Sequence, residues 1–147
     1  MFGRHSVKFI RGRAIFLPAA EGRIGIFGGP DDREIAPDET DWLENAKLRD
    51  LVGFYIAMRW PIGETAEALL ISKREAKIWW SRQRILVIRP DLVRACVCRV
   101  ADWGPAVETG RKADISPAAA EFLGVDTDDR LLFRFAPDSA PEGPFTE

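Results

Sequence analysis

The chain has 147 residues, 46% hydrophobic and 30% charged, with a formal net charge of -2. That length allows one domain with a real core, and the composition is that of a globular protein. A near-neutral balance with dispersed basic residues gives no reason to expect nucleic acid as a partner, and no apolar run approaches the length of a membrane span.

The first residues, M-F-G-R-H-S-V-K-F-I-R-G-R, interrupt every apolar run with a basic side chain and do not read as a signal peptide. Synthesis in the cytoplasm is the expectation. Residues 7–17 read as a β segment with Gly12 at a turn or bulge. Residues 24–27 form a second short strand, stopped by Gly28-Gly29-Pro30. Residues 31–44 are acidic and polar and read as a loop, and a short helix over 42–49 is possible. F-Y-I-A-M-R-W at 54–60 is a strand ended by Pro61 and Gly63. Residues 64–72 read as a helical turn or a loop insert.

Residues 75–80 and 84–89 look like strands, and Pro90-Asp91 turns the second of these into a hairpin with 93–101. As adjacent strand residues, Trp79 and Trp80 would face opposite sides, with at most one in the core. Ser116 is a good N-cap, Pro117 a good first helical residue and Gly124 a good terminator for a helix over 118–123. Residues 130–135 make the closing strand. From 136 to 147 the chain is acidic and Pro-rich and reads as a flexible tail.

Cys96 and Cys98 alternate along one strand, so both thiols share a face. A bridge between them would be strained, and C-x-C alone is a poor metal site. Two buried free thiols are expected. Many short strands with Gly/Pro punctuation argue for a mainly β fold, a small closed barrel or a sandwich. The pattern alone does not choose between these.

One stretch goes further. Residues 100–133 read V-A-D-W-G-P-A-V-E-T-G-R-K-A-D-I-S-P-A-A-A-E-F-L-G-V-D-T-D-D-R-L-L-F. This resembles the second half of the double-psi β-barrel of the rare lipoprotein A (RlpA) and expansin kind, whose pattern runs N-D-R-G-P and then G-R-x-I-D-L-S-x-A-A-A-x-x-L-G. Asp102, Gly104, Pro105, Gly110, Arg111, Asp114, Ser116, Ala118, Ala119, Ala120, Leu123 and Gly124 fall on it. The resemblance implies a six-stranded double-psi barrel over 22–135 with one or two short helices. Residues 1–21 would be an arm or extra strands before it, and 136–147 a tail after it.

The resemblance also implies chemistry. Family enzymes of this kind act on peptidoglycan glycan strands, and an Asp at the position of Asp102 is their acid/base candidate. Carried over, Asp102 protonates the glycosidic oxygen and then takes a proton from the muramic acid 6-hydroxyl, leaving a 1,6-anhydro end. Asp114 would be the second carboxylate, and Trp103, Arg111 and Glu39 would contact the sugar. Glu39 with Asp41 is spaced E-x-D where the family has E-x-x-D. The family's T-A-A-H histidine has no counterpart, since the single His is His5. Lys73, Arg74 or Glu75 lie in the corresponding stretch. The bland alternatives stand beside these readings. Asp102 can serve the W-G-P turn by bonding backbone N–H groups, and Asp114 can tie its loop together the same way. No cofactor motif and no metal-ligand spacing is present. Three classes therefore remain open: a peptidoglycan-directed barrel on a phage-like particle, a silent structural subunit of a virion or tail, and a small-molecule enzyme on the same scaffold.

Overall fold

The computed structural model describes residues 5–27 and 52–146. Strand β1 (Val7–Ile10) and strand β2 (Arg13–Phe16) form a two-stranded antiparallel ribbon. It turns at Arg11 and Gly12, both with positive φ. The arm expected over 1–21 is thus a hairpin where it is described.

Strand β3 (Glu21–Ile26) begins the barrel and β4 (Tyr55–Met58) follows. Two helices come next, α1 (Ile62–Leu69) and α2 (Lys73–Ser81). Then come β5 (Arg84–Arg89), β6 (Arg94–Trp103), β7 (Ala113–Ile115), α3 (Pro117–Leu123), β8 (Arg130–Phe135) and β9 (Gly143–Phe145). The strands run in the order β4, β7, β3, β8, β5, β6, and β6 closes on β4. The fold is a closed six-stranded barrel, mainly β, as the double-psi reading anticipated, with three α-helices among the described residues where one or two were expected.

The closure has an internal symmetry that the sequence does not display by eye. β3 pairs β7 in parallel and β8 antiparallel; β6 pairs β4 in parallel and β5 antiparallel. Exchanging β3, β4, β5 with β6, β7, β8 therefore reproduces the same set of pairings. The approximate two-fold axis runs between β4 and β7, which pair with each other.

Alternation decides what fills the barrel. Ile24, Ile56, Met58, Ile85, Val87, Cys96, Cys98, Val100, Ile115, Leu131 and Phe133 point inward and are buried together. The two thiols lie 4.0 Å apart without a disulfide, as expected. Burial pushes the Cys98 thiol well above its ordinary pKa. Strands β5 and β6 are apolar on their outer face as well: Leu86, Ile88, Ala95 and Val97 form a second cluster with Ala136. That explains the unbroken run I-L-V-I, which is buried on both sides.

Three expectations are corrected. Residues 75–80 are helical, not a strand, because Ser72 and Glu75 form a reciprocal capping box at the start of α2. Trp79 and Trp80 consequently lie on adjacent helical positions, both against the core, with Trp80 fully buried. Of the two readings of residues 64–72 the helical one holds, since most of them fall in α1, a two-turn helix ended by Leu70 in the left-handed conformation. This raises the helix count to three. The tail expected from 136 onward instead carries β9, which pairs antiparallel with β6. The loop over 31–44 and the short helix over 42–49 lie outside the described residues.

α3 follows its sequence signals. The Ser116 hydroxyl accepts from the Ala119 N–H at the N-terminus. Gly124, at φ 70°, ends the helix in a conformation that a side chain disfavours. Arg89 donates to the terminal carbonyls of Leu123 and Gly124 at 2.9 and 2.6 Å. Ser116 also accepts from the Tyr55 N–H, which ties the helix start to β4.

An aromatic column seals the interior. Trp60 stacks on Trp80 with centroids 5.0 Å apart, and Trp80 stacks on Phe135 at 5.9 Å. The Trp80 Nε1–H donates to Thr65 Oγ1 at 2.9 Å, and the Thr65 hydroxyl donates to the Pro61 carbonyl at 2.6 Å.

Candidate functional site

Register brings the two sequence-predicted carboxylates onto one wall. Ala57 of β4 is opposite Asp102 of β6 on one side and Asp114 of β7 on the other. Asp114 is in turn opposite Gly25 of β3. Four adjacent strands thus carry a row: Gly25, Asp114, Ala57, Asp102. Residues directly opposite share a face. Ala57 belongs to an outer cluster with Phe27, Tyr55 and Ala101, apart from the barrel interior. The row therefore lies on the outside of the wall. With one strand between them, Asp102 and Asp114 have Cα atoms about 10 Å apart.

The row straddles the approximate two-fold axis. Both carboxylates come from the second half of the barrel, and the mate positions in the first half hold Gly25 and Ala57. These small residues leave room. A Cβ at Gly25 would overlap Asp114 Oδ1 and press on Arg111 Cδ. Sequence reasoning missed Gly25, and its only signal was a glycine interrupting the strand I-G-I.

Asp102 is half-buried at the end of β6, where a bulge leaves Ala101 as the extra residue. Its Oδ1 accepts the Trp103 N–H at 2.7 Å, the kind of turn bond that the bland reading expected. Trp60 holds this strand end from behind. Its Nε1–H donates to the Asp102 carbonyl at 2.9 Å, and the Trp103 Nε1–H donates to the Trp60 carbonyl at 3.2 Å. Trp103 is left 50% exposed at the rim. It is an exposed flat apolar surface beside Asp102, suited to stacking.

The loop from Gly104 to β7 joins the two carboxylates. Arg59 pins it, donating through Nη1 to the Pro105 carbonyl at 2.7 Å and the Arg111 carbonyl at 3.0 Å. Arg59 too was missed; from sequence it was one more basic residue at a strand end. Arg111, a predicted substrate contact, has its guanidinium across Asp128: Nε to Oδ1 at 2.9 Å and Nη2 to Oδ2 at 3.3 Å. Arg23 joins the same carboxylate at 3.1 Å. The Arg111 bond, with the charge of Arg111 and Arg23 behind it, holds the Asp128 carboxyl below its ordinary pKa.

Of the predicted site residues, Asp102, Asp114, Trp103 and Arg111 therefore fall on or beside one wall. Glu39 lies outside the described residues, as does Asp41. Of the proposed stand-ins for the family histidine, Glu75 is used in the α2 capping box, and Lys73 and Arg74 are exposed. Among the described residues no group of three or more His, Cys, Asp or Glu is placed to hold a metal ion, and no helix is long and apolar enough to cross a membrane. The arrangement offers two carboxyl groups on one wall and an exposed aromatic residue at the rim next to it, which suits proton transfer to a bound polyhydroxylated chain. No protein-family model matches the chain, and no curated protein matches it.

Proposed function

We propose that this protein is an RlpA-like, peptidoglycan-directed barrel that binds glycan strands along the wall carrying Asp102 and Asp114 and cleaves them lytically. The observation that carries the reading is the row Gly25–Asp114–Ala57–Asp102, which sets the two motif carboxylates on one outer face; Trp103, opposite the inward-facing Met58, stands at the barrel rim next in the chain to Asp102. In this reading Asp102 donates its proton to the glycosidic oxygen as the bond to the anomeric carbon breaks. Asp114 stays ionised and stabilises the positive charge developing on the sugar. The muramic acid 6-hydroxyl then attacks the anomeric carbon and returns its proton to Asp102, so the acid is regenerated without water. The Trp103 ring supports a pyranose face. Delivery to the wall by a phage-like particle belongs to the same proposal.

A second reading, a non-catalytic subunit of a larger assembly, draws on a different surface. Phe9 and Phe16 lie on the same side of the β1–β2 ribbon and are 70% and 61% exposed. Two exposed aromatics on one face suit a protein contact. Digestion of purified sacculi separates the two. The parent is expected to release anhydro-muropeptides detectable by mass spectrometry, and Asp102→Asn at least about 100-fold less. No release by a folded parent rejects the enzyme reading and leaves the assembly reading in place.

A further inference from the structure

The closing segment, residues 136–146, is a separable piece of the barrel. Its first amide, that of Ala136, still bonds the Arg84 carbonyl at 2.9 Å, so it leaves β8 in register. Residues 137–142 then turn once, with the Ala140 N–H on the Pro137 carbonyl, and contain no helix or strand. β9 finally adds to the outer half of β6 through three residue pairs: Ala95 with Phe145, Cys96 with Pro144, Val97 with Gly143. Ala136, Ala140 and Phe145 cover the outer cluster of Leu86, Ile88, Ala95 and Val97. Charge fixes the position. Glu142 lies 3.2 Å from Arg99 and 3.6 Å from Arg84, and Asp138 lies 2.6 Å from Lys8.

We infer that this segment is exchangeable: the outer edge of β6 is a docking surface for the corresponding segment of a second copy, and two copies pair by trading β9 reciprocally. The occupant follows from complementarity. The seat requires an acidic residue between two arginines, then a glycine at φ 118° and an aromatic on an apolar patch. Residues 142–145, E-G-P-F, supply these in order, and a second copy carries the same strand. The pairing with β6 and the Glu142 ion pairs are regained between two copies, while opening the turn gives up its bond at Pro137 and the Lys8–Asp138 pair. Pro137 and Pro141 flank that turn and favour an extended course once it opens. Swapping of such a segment is a low-cost route to a symmetric dimer.

The test uses two full-length variants. Glu142→Arg reverses the strand's charge; Arg84→Glu with Arg99→Glu reverses the seat's charge. In either variant alone, like charges meet whether the strand is home or exchanged. In a mixture, each strand matches the other variant's seat. Light scattering is expected to give a 1:1 heterodimer, with an association constant at least about ten-fold above that of either variant alone. A mixture that stays monomeric, with both variants folded by circular dichroism, overturns the proposal. If the double substitution does not fold, Glu142→Lys mixed with Arg84→Glu decides by the same criterion. Both of those side chains are about one-third exposed, and such surface changes are ordinarily tolerated.

Discussion

The Thr65–Trp80 bond gives a sharp test of how the helical insert is held on the barrel. Trp80 is fully buried, and its Nε1–H has Thr65 Oγ1 at 2.9 Å. Thr65→Val is nearly isosteric but removes that acceptor, leaving a buried N–H unpaired at a cost of about 1–3 kcal/mol. The Pro61 carbonyl is not orphaned by this change, because it also accepts the Thr65 N–H at 3.0 Å. Trp80→Phe removes the donor and part of the ring. The Thr65 hydroxyl keeps its bond to Pro61, so the cost is lost burial and a small cavity, about 2 kcal/mol. With Phe at 80 there is no N–H to strand, and adding Thr65→Val is expected to cost little more. The double variant should therefore be more stable than the sum of the singles predicts by about 1–2 kcal/mol. Urea unfolding followed by far-ultraviolet circular dichroism measures all four proteins. Additivity within about 0.5 kcal/mol would refute the argument, for it would mean that the indole N–H loses nothing when its partner goes.

Two further outcomes are expected. Asp128 has its carboxyl pKa lowered by the Arg111 bond. A lowered folded-state pKa stabilises above the unfolded value, and that contribution is lost as pH falls through the folded value. Asp128→Asn, which tolerates the residue's φ of 72°, should therefore unfold more easily than the parent at pH 7. The two should converge in strong acid, and urea midpoints at both pH values check this; a gap of equal size at both would contradict it. Cys96 and Cys98 are fully buried and the Cys98 thiol is pushed up by burial. Neither should react with an aromatic disulfide reagent in the native protein, and both should react in denaturant. Rapid native labelling would show that the inner face opens.

How far the residues alone revealed the fold depends on the range of the deciding interaction. α3 was legible in full because its signals are local: a serine cap, a proline at the first helical position and a glycine at the end all act within one turn. β8 was legible because residues 130–135 alternate cleanly between core and surface. Residues 75–80 were misread as strand although a local signal existed in S-K-R-E. The capping box decides for helix by satisfying backbone donors at the helix start. The segment after 136 was misread because its order comes from elsewhere: Pro and acidic residues read as a tail until Arg84, Arg99 and the edge of β6 supply its partners.

The candidate site divides the same way. Asp102 and Asp114 could be picked from a motif, because the spacing of carboxylates, Gly-Pro turn and capped helix is a linear pattern. That the two share a wall could not, because 11 residues and a loop separate them and their common neighbour, Ala57, lies far earlier in the chain. Sequence by itself determined several of the short strands, the paired buried thiols, the capped helix and the candidate carboxylates. Each of these follows from alternation, from turn chemistry or from a linear motif. Only the tertiary structure decided the parallel crossings, the close approach of Asp114 to Gly25, the anchoring by Arg59 and the seat of the closing strand. Those depend on which strands become neighbours, and register between distant segments is set by how the whole barrel closes rather than by any run of residues within it.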